Sequence, residues 1–451
     1  MRTVTTLAYC DRTDIGRRRA SNQDSKAVLP ASPQEYRSRG WLFLVADGMG
    51  AHAAGELASA MAATNVPRRY EELSDFSPPL ALRRSIERVN VEIFRKGERS
   101  PDCHGMGTTC SALVLHPRGA ILGHVGDSRI YRVRGHTVHQ LSRDHSLVWE
   151  IEATVGARHE DATESVPKNI ITRSLGPHLE TERLVDLEGP FPVEAGDTFV
   201  LCSDGLSGVV GDAEIGLFAS ELEPQEAVTA LIGLALVRGA PDNVTVIGVR
   251  AGPEEASKTS RNDEPWPLSE EATSNQRQGH KAWASLGLAA FGWLLALTVN
   301  PMSALAESFH DGDPTLKAIC LATSIGGALI GVGCTLFSVF TFLSAKSRGR
   351  LLHPGEFLGK GPYRTYDCTP AAGLLEGVVT SLEAEAEAIP AADRDRFVGI
   401  LARARQHAAA AAHHEAVTAL AEAIAVHAAA IEAARRDDTA HTKPPPGTPH
   451  A

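Results

Sequence analysis

The 451-residue chain lacks any long block of Lys and Arg, and its net charge of −11 is mildly acidic. Proteins that follow the phosphate backbone of nucleic acids do so with clustered positive charge. We therefore expect no nucleic acid among the partners of this protein.

Cysteine is also scarce, with seven residues scattered over the chain and no CxxC pair. Structural zinc sites and disulfide frameworks need cysteines in close, regular spacings. This absence indicates a reducing compartment and argues against structural zinc.

Charged residues are missing from two segments, 282–299 and 318–343, which are 18 and 26 residues long. Each is long enough to cross a bilayer as a helix. The connecting loop 300–317 is acidic, whereas Lys and Arg lie before the first segment and after the second. Positive residues favour the cytoplasmic side, so the chain on both outer sides of the pair is expected in the cytoplasm. The first residues lack the apolar core of a signal peptide. The alternative is a buried helical hairpin in a soluble domain.

The most informative stretch is 41–52, which reads WLFLVADGMGAH. Its bulky apolar half is typical of a strand buried on both faces. The strand ends at Asp47 and Gly48, a carboxylate and a residue whose carbonyl can approach a cation because no Cβ intervenes. An ordinary turn after the strand would explain the same letters.

Residues 1–250 are predicted to form one α+β domain with antiparallel sheets covered by helices. The predicted strands are 110–115, 120–124, 130–133, 137–141, 198–203 and 244–249, and the predicted helices are 55–64, 81–95 and 224–238.

The remaining chain divides into a polar linker at 251–281, the two spans with their loop, a cytoplasmic loop at 344–370, a helical segment at 371–436 and a disordered tail at 437–451. Val417, Leu420, Ile424 and Ile431 form a narrow apolar stripe in the helical segment. The segment is either a hairpin or coiled coil that self-associates, or a set of helices folded back on each other.

Five carboxylates lie at strand ends far apart in sequence: Asp24, Asp47, Asp127, Asp204 and Asp242. Burying like charges together is costly unless a cation is shared. Oxygen ligands without His or Cys indicate Mg²⁺ or Mn²⁺. Two such ions could activate water for in-line attack on phosphorus, and Arg19 could grip the phosphate.

Eight short motifs carry a family resemblance, and they occur in a fixed order: 19–24 (RASNQD), 47–50 (DGMG), 107–109 (GTT), 125–129 (VGDSR), 144–146 (DHS), 171–176 (ITRSLG), 203–206 (SDGL) and 242–245 (DNVT). Together they resemble the bacterial branch of the metal-dependent (PPM-type, protein phosphatase 2C-like) protein serine/threonine phosphatases. The resemblance covers about residues 6–250.

The resemblance implies a four-layer α-β-β-α sandwich with two central antiparallel sheets and a dinuclear Mn²⁺ or Mg²⁺ site. It implies that Asp47 bridges both metals, that Gly48 binds through its carbonyl, and that Asp24, Asp204 and Asp242 complete the ligand shell. Asp127 matches the ligand of a third, weaker metal, and Arg19 matches the phosphate-binding residue. Residues 147–169 match a mobile flap beside the site.

Two other kinds of side chain were candidates for chemistry. His52 and His145 are expected to be structural. Cys202 is not a credible nucleophile, because it lies inside an apolar strand and no CxxxxxR phosphate cradle follows it.

The sequence thus predicts a serine/threonine phosphatase anchored in the inner membrane by two spans, with its catalytic domain in the cytoplasm and phosphoproteins as substrates. The alternative is a phosphatase-like sensor or scaffold that signals through its membrane and helical segments.

Overall fold

The computed structural model describes residues 7–50, 53–155, 167, 170–179, 183–252, 264–270, 273 and 350–441, with short helical pieces between 289 and 336. Several predicted segments lie wholly or mostly outside the described residues: the linker 251–281, both spans, the loop 300–317 and the tail 437–451. His52 and residues 156–166 of the predicted flap lie outside them too.

The chain divides into two compact units. The first comprises Met1–Ser74, Ala81–Asn262 and Glu356–Ala451, and the second comprises Asp75–Leu80 and Asp263–Gly355.

One sheet of the first unit runs in the order β1-β11-β10-β7-β8-β14, with every neighbouring pair antiparallel. Its strands are β1 (Leu7–Asp14), β7 (Arg129–Arg134), β8 (Thr137–Gln140), β10 (Thr198–Cys202), β11 (Val244–Ala251) and β14 (Arg364–Asp367).

The other sheet runs β2-β3-β5-β6-β9 and is also antiparallel, with β4 paired to the end of β3. Its strands are β2 (Asp24–Leu29), β3 (Trp41–Met49), β4 (Gly107–Thr108), β5 (Cys110–His116), β6 (Gly119–Val125) and β9 (Asp186–Phe191). The predicted antiparallel sheets with their hairpins at 110–124 and 130–141 are therefore confirmed.

Apolar side chains from both sheets pack into one core. Phe43, Leu113 and Leu122 of one sheet share a buried cluster with Phe199 and Ile247 of the other. Strand β3 reads as a continuous apolar run because both of its faces are covered.

Helices of the first unit lie between and after these strands. They are α1 (Pro33–Ser38), α2 (Ala53–Glu72), α3 (Pro78–Arg99), α4 (Leu147–Val155), α5 (Asp204–Ser207), α6 (Asp212–Glu221), α7 (Pro224–Val237), α8 (Ala372–Ala384), α9 (Ala391–Ala409) and α10 (His413–His441). Part of α3 belongs to the second unit.

Helix α2 continues well beyond the predicted helix 55–64, through Pro67 to Glu72. Proline lacks the N–H that a helix interior needs and normally ends a helix. Here Val66 and Tyr70, 0% and 1% exposed, are buried on either side of Pro67. Their burial offsets the lost hydrogen bond, so tertiary packing overrides the local signal.

The C-terminal helices belong to the first unit rather than standing apart from it. Val417, Leu420 and Ile424 of α10 share one buried cluster with α6 and α7. A Cβ placed on Gly233 of α7 would lie 2.5 Å from Ile424 Cγ2, so the two helices are in close contact. The predicted apolar stripe is therefore covered by the same chain, and the predicted loop 344–370 contains strand β14.

In the second unit, β12 (Trp266–Pro267) pairs with β13 (Leu351–Leu352) in antiparallel fashion. Ser77 Oγ donates a hydrogen bond to the carbonyl of Pro267. Among the described residues, one helix, His413–Arg435 within α10, is long and apolar enough to cross a membrane. That helix lies in the first unit and is part of its hydrophobic core.

Candidate active site

Strands β2 and β3 bring the first two carboxylates together. Asp24 and Asp47 are direct partners across the antiparallel ladder. Directly opposite residues project from the same face of a sheet, with Cα atoms about 5 Å apart. Asp47 is held in place by its backbone, since its N–H donates to Thr109 Oγ1 at 2.8 Å and its carbonyl accepts from Thr109 N–H at 2.8 Å.

Gly48 occupies a position that no larger residue could fill. A Cβ there would lie 2.2 Å from the carbonyl oxygen of Gly55 and 2.6 Å from that of Gln23. The Gly48 N–H donates to the Gln23 carbonyl at 3.1 Å. Glycine at 48 therefore lets helix α2 and the residue before Asp24 pack against the end of β3.

Asp204 follows the end of β10, where Ser203 is the N-cap residue of α5 and Asp204 is its first residue. Ser203 Oγ donates to Asp24 Oδ2 at 2.7 Å. A Cβ on Gly205 would lie 1.9 Å from the carbonyl oxygen of Asn243, so the turn carrying Asp204 packs directly on the start of β11. This contact places Asp204 beside the residues around Asp242.

Asn243 fixes the segment that carries Arg19. Its Oδ1 accepts from the Gln23 N–H at 2.8 Å, and its Nδ2 donates to the carbonyls of Ile15 and Ser21 at 2.8 and 3.0 Å. Asn243 was part of a motif, but its positioning role was not predicted. Such a role is visible only when the two chain segments are seen together.

Asp127 lies in the turn between β6 and β7 and is buried. The preceding Gly126 has φ +110°, and a Cβ there would lie 2.5 Å from Thr109 Cγ2. Only glycine fits both this conformation and this contact. Thr109 therefore supports both the turn of Asp127 and the backbone of Asp47.

The five carboxylates act on one another electrostatically. Burial raises the pKa of Asp24 to about 7, with added repulsion from Asp204 and Asp242. Burial likewise raises the pKa of Asp127 to about 7, with added repulsion from Asp204. The pKa of Asp47 lies well above its ordinary value because of burial and the charges of Asp24, Asp204 and Asp127.

Arg19 lies at the exposed side of this pocket. Its Nη2 forms an ion pair with Asp242 Oδ2 at 2.6 Å, and 48% of its side chain is exposed. The hydrogen bond to Asp242 raises the pKa of Arg19, and Asp47 and Asp204 add to the effect. An ion pair, a strand pairing and mutual electrostatic effects thus link Arg19 and the five carboxylates to one another.

The sequence profile described as Protein phosphatase 2C matches residues 16–236 of this chain. The serine/threonine phosphatase stp of Listeria monocytogenes is 36% identical over 243 residues, which is 52% of this chain and 92% of that protein. The chain belongs to the protein phosphatase 2C family.

Other relatives agree with this assignment. The protein phosphatase PhpP of Streptococcus pneumoniae is 34% identical over 250 residues, covering 54% of this phosphatase and 97% of PhpP. A crystal structure of the catalytic domain of the phosphatase PstP, in complex with two manganese ions, is 35% identical, with a TM-score of 0.45 over 55% of this chain and 98% of that one. The assignment rests on the sequence relatives.

Membership confirms the predicted enzyme class, a metal-dependent phosphoprotein phosphatase, and the predicted cofactors, Mn²⁺ or Mg²⁺. The donor set fits such ions, because Asp24 Oδ1, Asp127 Oδ1 and Asp204 Oδ1 are buried oxygens without a hydrogen-bond partner. As the side chains stand, no three described His, Cys, Asp or Glu residues form a group that could hold a metal ion.

The other candidate side chains have structural surroundings. His145 Nδ1 accepts from the Gly126 N–H at 3.1 Å, and its Nε2 lies 2.9 Å from Asp186 Oδ2. Burial raises the pKa of the Cys202 thiol to about 12. A thiol that stays protonated at neutral pH cannot serve as the nucleophile.

Proposed function

We propose that this pocket hydrolyses phosphoserine and phosphothreonine in proteins by direct attack of water, without a phosphoenzyme. Asp47, the Gly48 carbonyl, Asp24, Asp204 and Asp242 would hold two divalent ions. When bound, the ions supply the positive charge that activates water and neutralises the phosphoryl oxygens. The observation that carries the proposal is the convergence of mutually repelling buried carboxylates with unpaired oxygens in one pocket.

Asp127 would hold a third, weaker ion. Its Oδ1 is buried and has no hydrogen-bond partner. Its charge raises the pKa of Asp47, and the charge of Asp204 raises the pKa of Asp127, which supports a position next to the main site. Its own turn is fixed through Gly126, so its carboxylate is presented by rigid backbone.

Arg19 would bind the phosphate of the substrate. Its ion pair with Asp242 keeps the guanidinium at the pocket, while its exposure leaves donors that a phosphate can reach. A planar guanidinium can grip two phosphate oxygens at once. Arg19→Lys should therefore lose affinity for the substrate although the charge is retained.

The test is a manganese titration of phosphopeptide hydrolysis by the wild type and by Asp204→Asn, with Mn²⁺ binding measured by calorimetry on the same samples. We expect the wild type to require Mn²⁺, and the variant to lose both binding and turnover. Full turnover in EDTA, or an active Asp204→Asn enzyme, would exclude the proposed chemistry.

We also propose that segments 282–299 and 318–343 anchor the enzyme in the inner membrane, with the catalytic unit in the cytoplasm. The support is their lack of charge and their positive outer flanks. The described residues between 289 and 336 include several exposed apolar side chains, among them Phe291, Leu329 and Leu336 at 60–68% exposure. Such exposure is costly in water and suits lipid.

Membrane fractionation of the full chain, followed by protease treatment of inverted and right-side-out vesicles, tests this topology. We expect the catalytic unit to be digested only in inverted vesicles. Recovery of the enzyme in the soluble fraction without detergent would contradict the anchor.

A further inference from the structure

A segment beyond the family match contacts the catalytic unit near the pocket. We name residues 358–368 the clasp. The family profile matches residues 16–236, and the clasp lies more than 100 residues beyond that match. Its strand β14 pairs with β8 and extends the first sheet by one strand.

The clasp holds helix α4 through two adjacent side chains. The Arg364 guanidinium forms an ion pair with Glu152 and lies 4.1 Å from the centre of the Trp149 ring. Tyr363 meets the same Trp149 ring edge-on, with centroids 6.1 Å apart. Glu152 and Trp149 are one turn apart on α4, so one face of the helix rests against the clasp.

The clasp is itself fixed to strand β9. Tyr363 Oη donates a hydrogen bond to Glu188, and the Gly361 N–H donates to Glu188 Oε2 at 3.0 Å. Leu358 and Gly189 exchange two backbone hydrogen bonds. Since Glu188 is 2% exposed, the clasp covers it and gains a firm attachment to the second sheet.

Helix α4 is connected to the acidic pocket at its other end. It begins at Leu147, two residues after His145. The His145 N–H donates to the Gly126 carbonyl at 2.8 Å, and Gly126 immediately precedes Asp127. The start of α4 is therefore attached to the turn that carries Asp127, and the clasp contacts the same helix through Trp149 and Glu152.

We propose that Arg364 and Tyr363 are positioning residues that fix helix α4 beside the pocket, and that they determine how the enzyme accepts a phosphoprotein. They do not take part in breaking the phosphate ester. The proposal rests on the proposed phosphatase function. Under this proposal, residues on either side of the phosphate of a phosphoprotein contact α4, whereas a small aryl phosphate occupies the pocket alone.

The test compares Arg364→Gln with the wild type on two substrates, a phosphothreonine peptide and p-nitrophenyl phosphate, at saturating Mn²⁺. We expect the KM for the peptide to change by about five-fold or more, because α4 is displaced, while kcat/KM for the aryl phosphate stays within about two-fold. The matched control is Arg403→Gln, which breaks an exposed ion pair with Glu422 on the C-terminal helices and should change neither value.

A second measurement separates positioning from general stability. Glu152→Gln should reproduce the effect of Arg364→Gln, and the double variant should be no worse than either single one, since both act through the same contact. Hydrogen exchange of residues 147–155 should rise in Arg364→Gln while the strands keep their protection.

Two results would overturn the proposal. One is an equal loss on both substrates together with lower protection of the sheets. The other is unchanged peptide kinetics in a folded Arg364→Gln enzyme. A wild type inactive on both substrates would instead refute the proposed function, and the exchange measurement would still report whether the clasp holds α4.

Discussion

The acidic pocket and the interface between α7 and α10 lie within one unit, but they are built in opposite ways. The pocket gathers carboxylates that repel one another and leaves several of their oxygens unpaired. The interface is made of apolar side chains such as Leu420 and Ile424, 0% and 1% exposed, packed on α7.

The difference shows where this protein gains stability and where it gives stability up. Apolar burial contributes about 25 cal/mol per Å² to folding. Burying a carboxylate without a cation lowers the free energy of unfolding. Destabilising groups of this kind are typical of functional sites. The C-terminal helices thus stabilise a catalytic unit that carries an unfavourable pocket.

The strongest test of this contrast is Asp47→Asn. We expect Mn²⁺-dependent hydrolysis to fall by about 100-fold or more, because a proposed bridging ligand is lost. In EDTA the same variant should be more stable by about 1–2 kcal/mol, since one repelling charge is gone. Activity assays and denaturant unfolding measure the two effects.

The matched control for that variant is Asp197→Asn. Asp197 is only 1% exposed, but it accepts two hydrogen bonds from Arg134, both at 2.7 Å. Here the substitution should cost about 1–3 kcal/mol of stability and leave turnover unchanged. If both variants raise, or both lower, the free energy of unfolding, then Asp47 does not differ from Asp197 in destabilising the fold.

The next largest effect is expected at the interface itself. Ile424→Ala should lower the free energy of unfolding by about 2–4 kcal/mol, because it empties a packed site against α7. Thermal or urea unfolding measures it. Val398→Ala on α9, 51% exposed in the wild type, serves as control and should change stability by less than about 0.5 kcal/mol. Equal losses in the two variants would show that the helices are not integral to the fold.

A buried histidine outside the pocket gives a pH-dependent test. Burial and the nearby charges of Arg118 and Arg39 lower the pKa of His116 to about 3. The neutral ring therefore contributes stability that is fully present above pH 6.5 and is lost as the pH falls. Between pH 6.5 and pH 5 the loss should reach about 2 kcal/mol.

Urea unfolding at these two pH values, for the wild type and His116→Gln, checks that expectation. The pH dependence should be smaller in the variant. His104→Gln is the control, because that side chain is 76% exposed and should leave the dependence as it is. If the free energy of unfolding of His116→Gln falls as much between the two pH values as that of the wild type, other groups cause the acid sensitivity.

The smallest expected effect comes from a pair of helical glycines. Gly233→Ala would place a methyl group 2.5 Å from Ile424 Cγ2 and should cost about 1 kcal/mol. Gly399→Ala on α9 meets nothing within 4 Å and should stabilise by up to about 1 kcal/mol through helix propensity. Melting temperatures that shift in the same direction would contradict the close α7–α10 contact.

Much of the catalytic fold could be predicted because its signals are local. The hairpins at 110–124 and 130–141 combine apolar runs with glycine turns, and the structure has them as β5–β6 and β7–β8. Strand β14 could not be predicted this way. Its residues, RTYD, alternate without a strong apolar pattern, and only pairing with β8 makes them a strand.

The carboxylates of the site could be predicted because acidic residues are unfavourable, and therefore unusual, at the ends of apolar strands. Acidic residues at the ends of apolar strands stand out in the sequence, as Asp47 and Asp204 do. The residues that position them, Ser203, Thr109 and Asn243, are ordinary polar residues with no signal of their own. Their roles depend on hydrogen bonds between segments up to 228 positions apart.

The sequence alone predicted the chemistry that we propose for this protein, because carboxylates at the ends of apolar strands leave a pattern in the chain. Only the tertiary structure decided that α8, α9 and α10 cover the catalytic unit and that the clasp reaches helix α4. An apolar stripe states that a helix needs a partner surface, but not whether that surface belongs to another molecule or to the same chain.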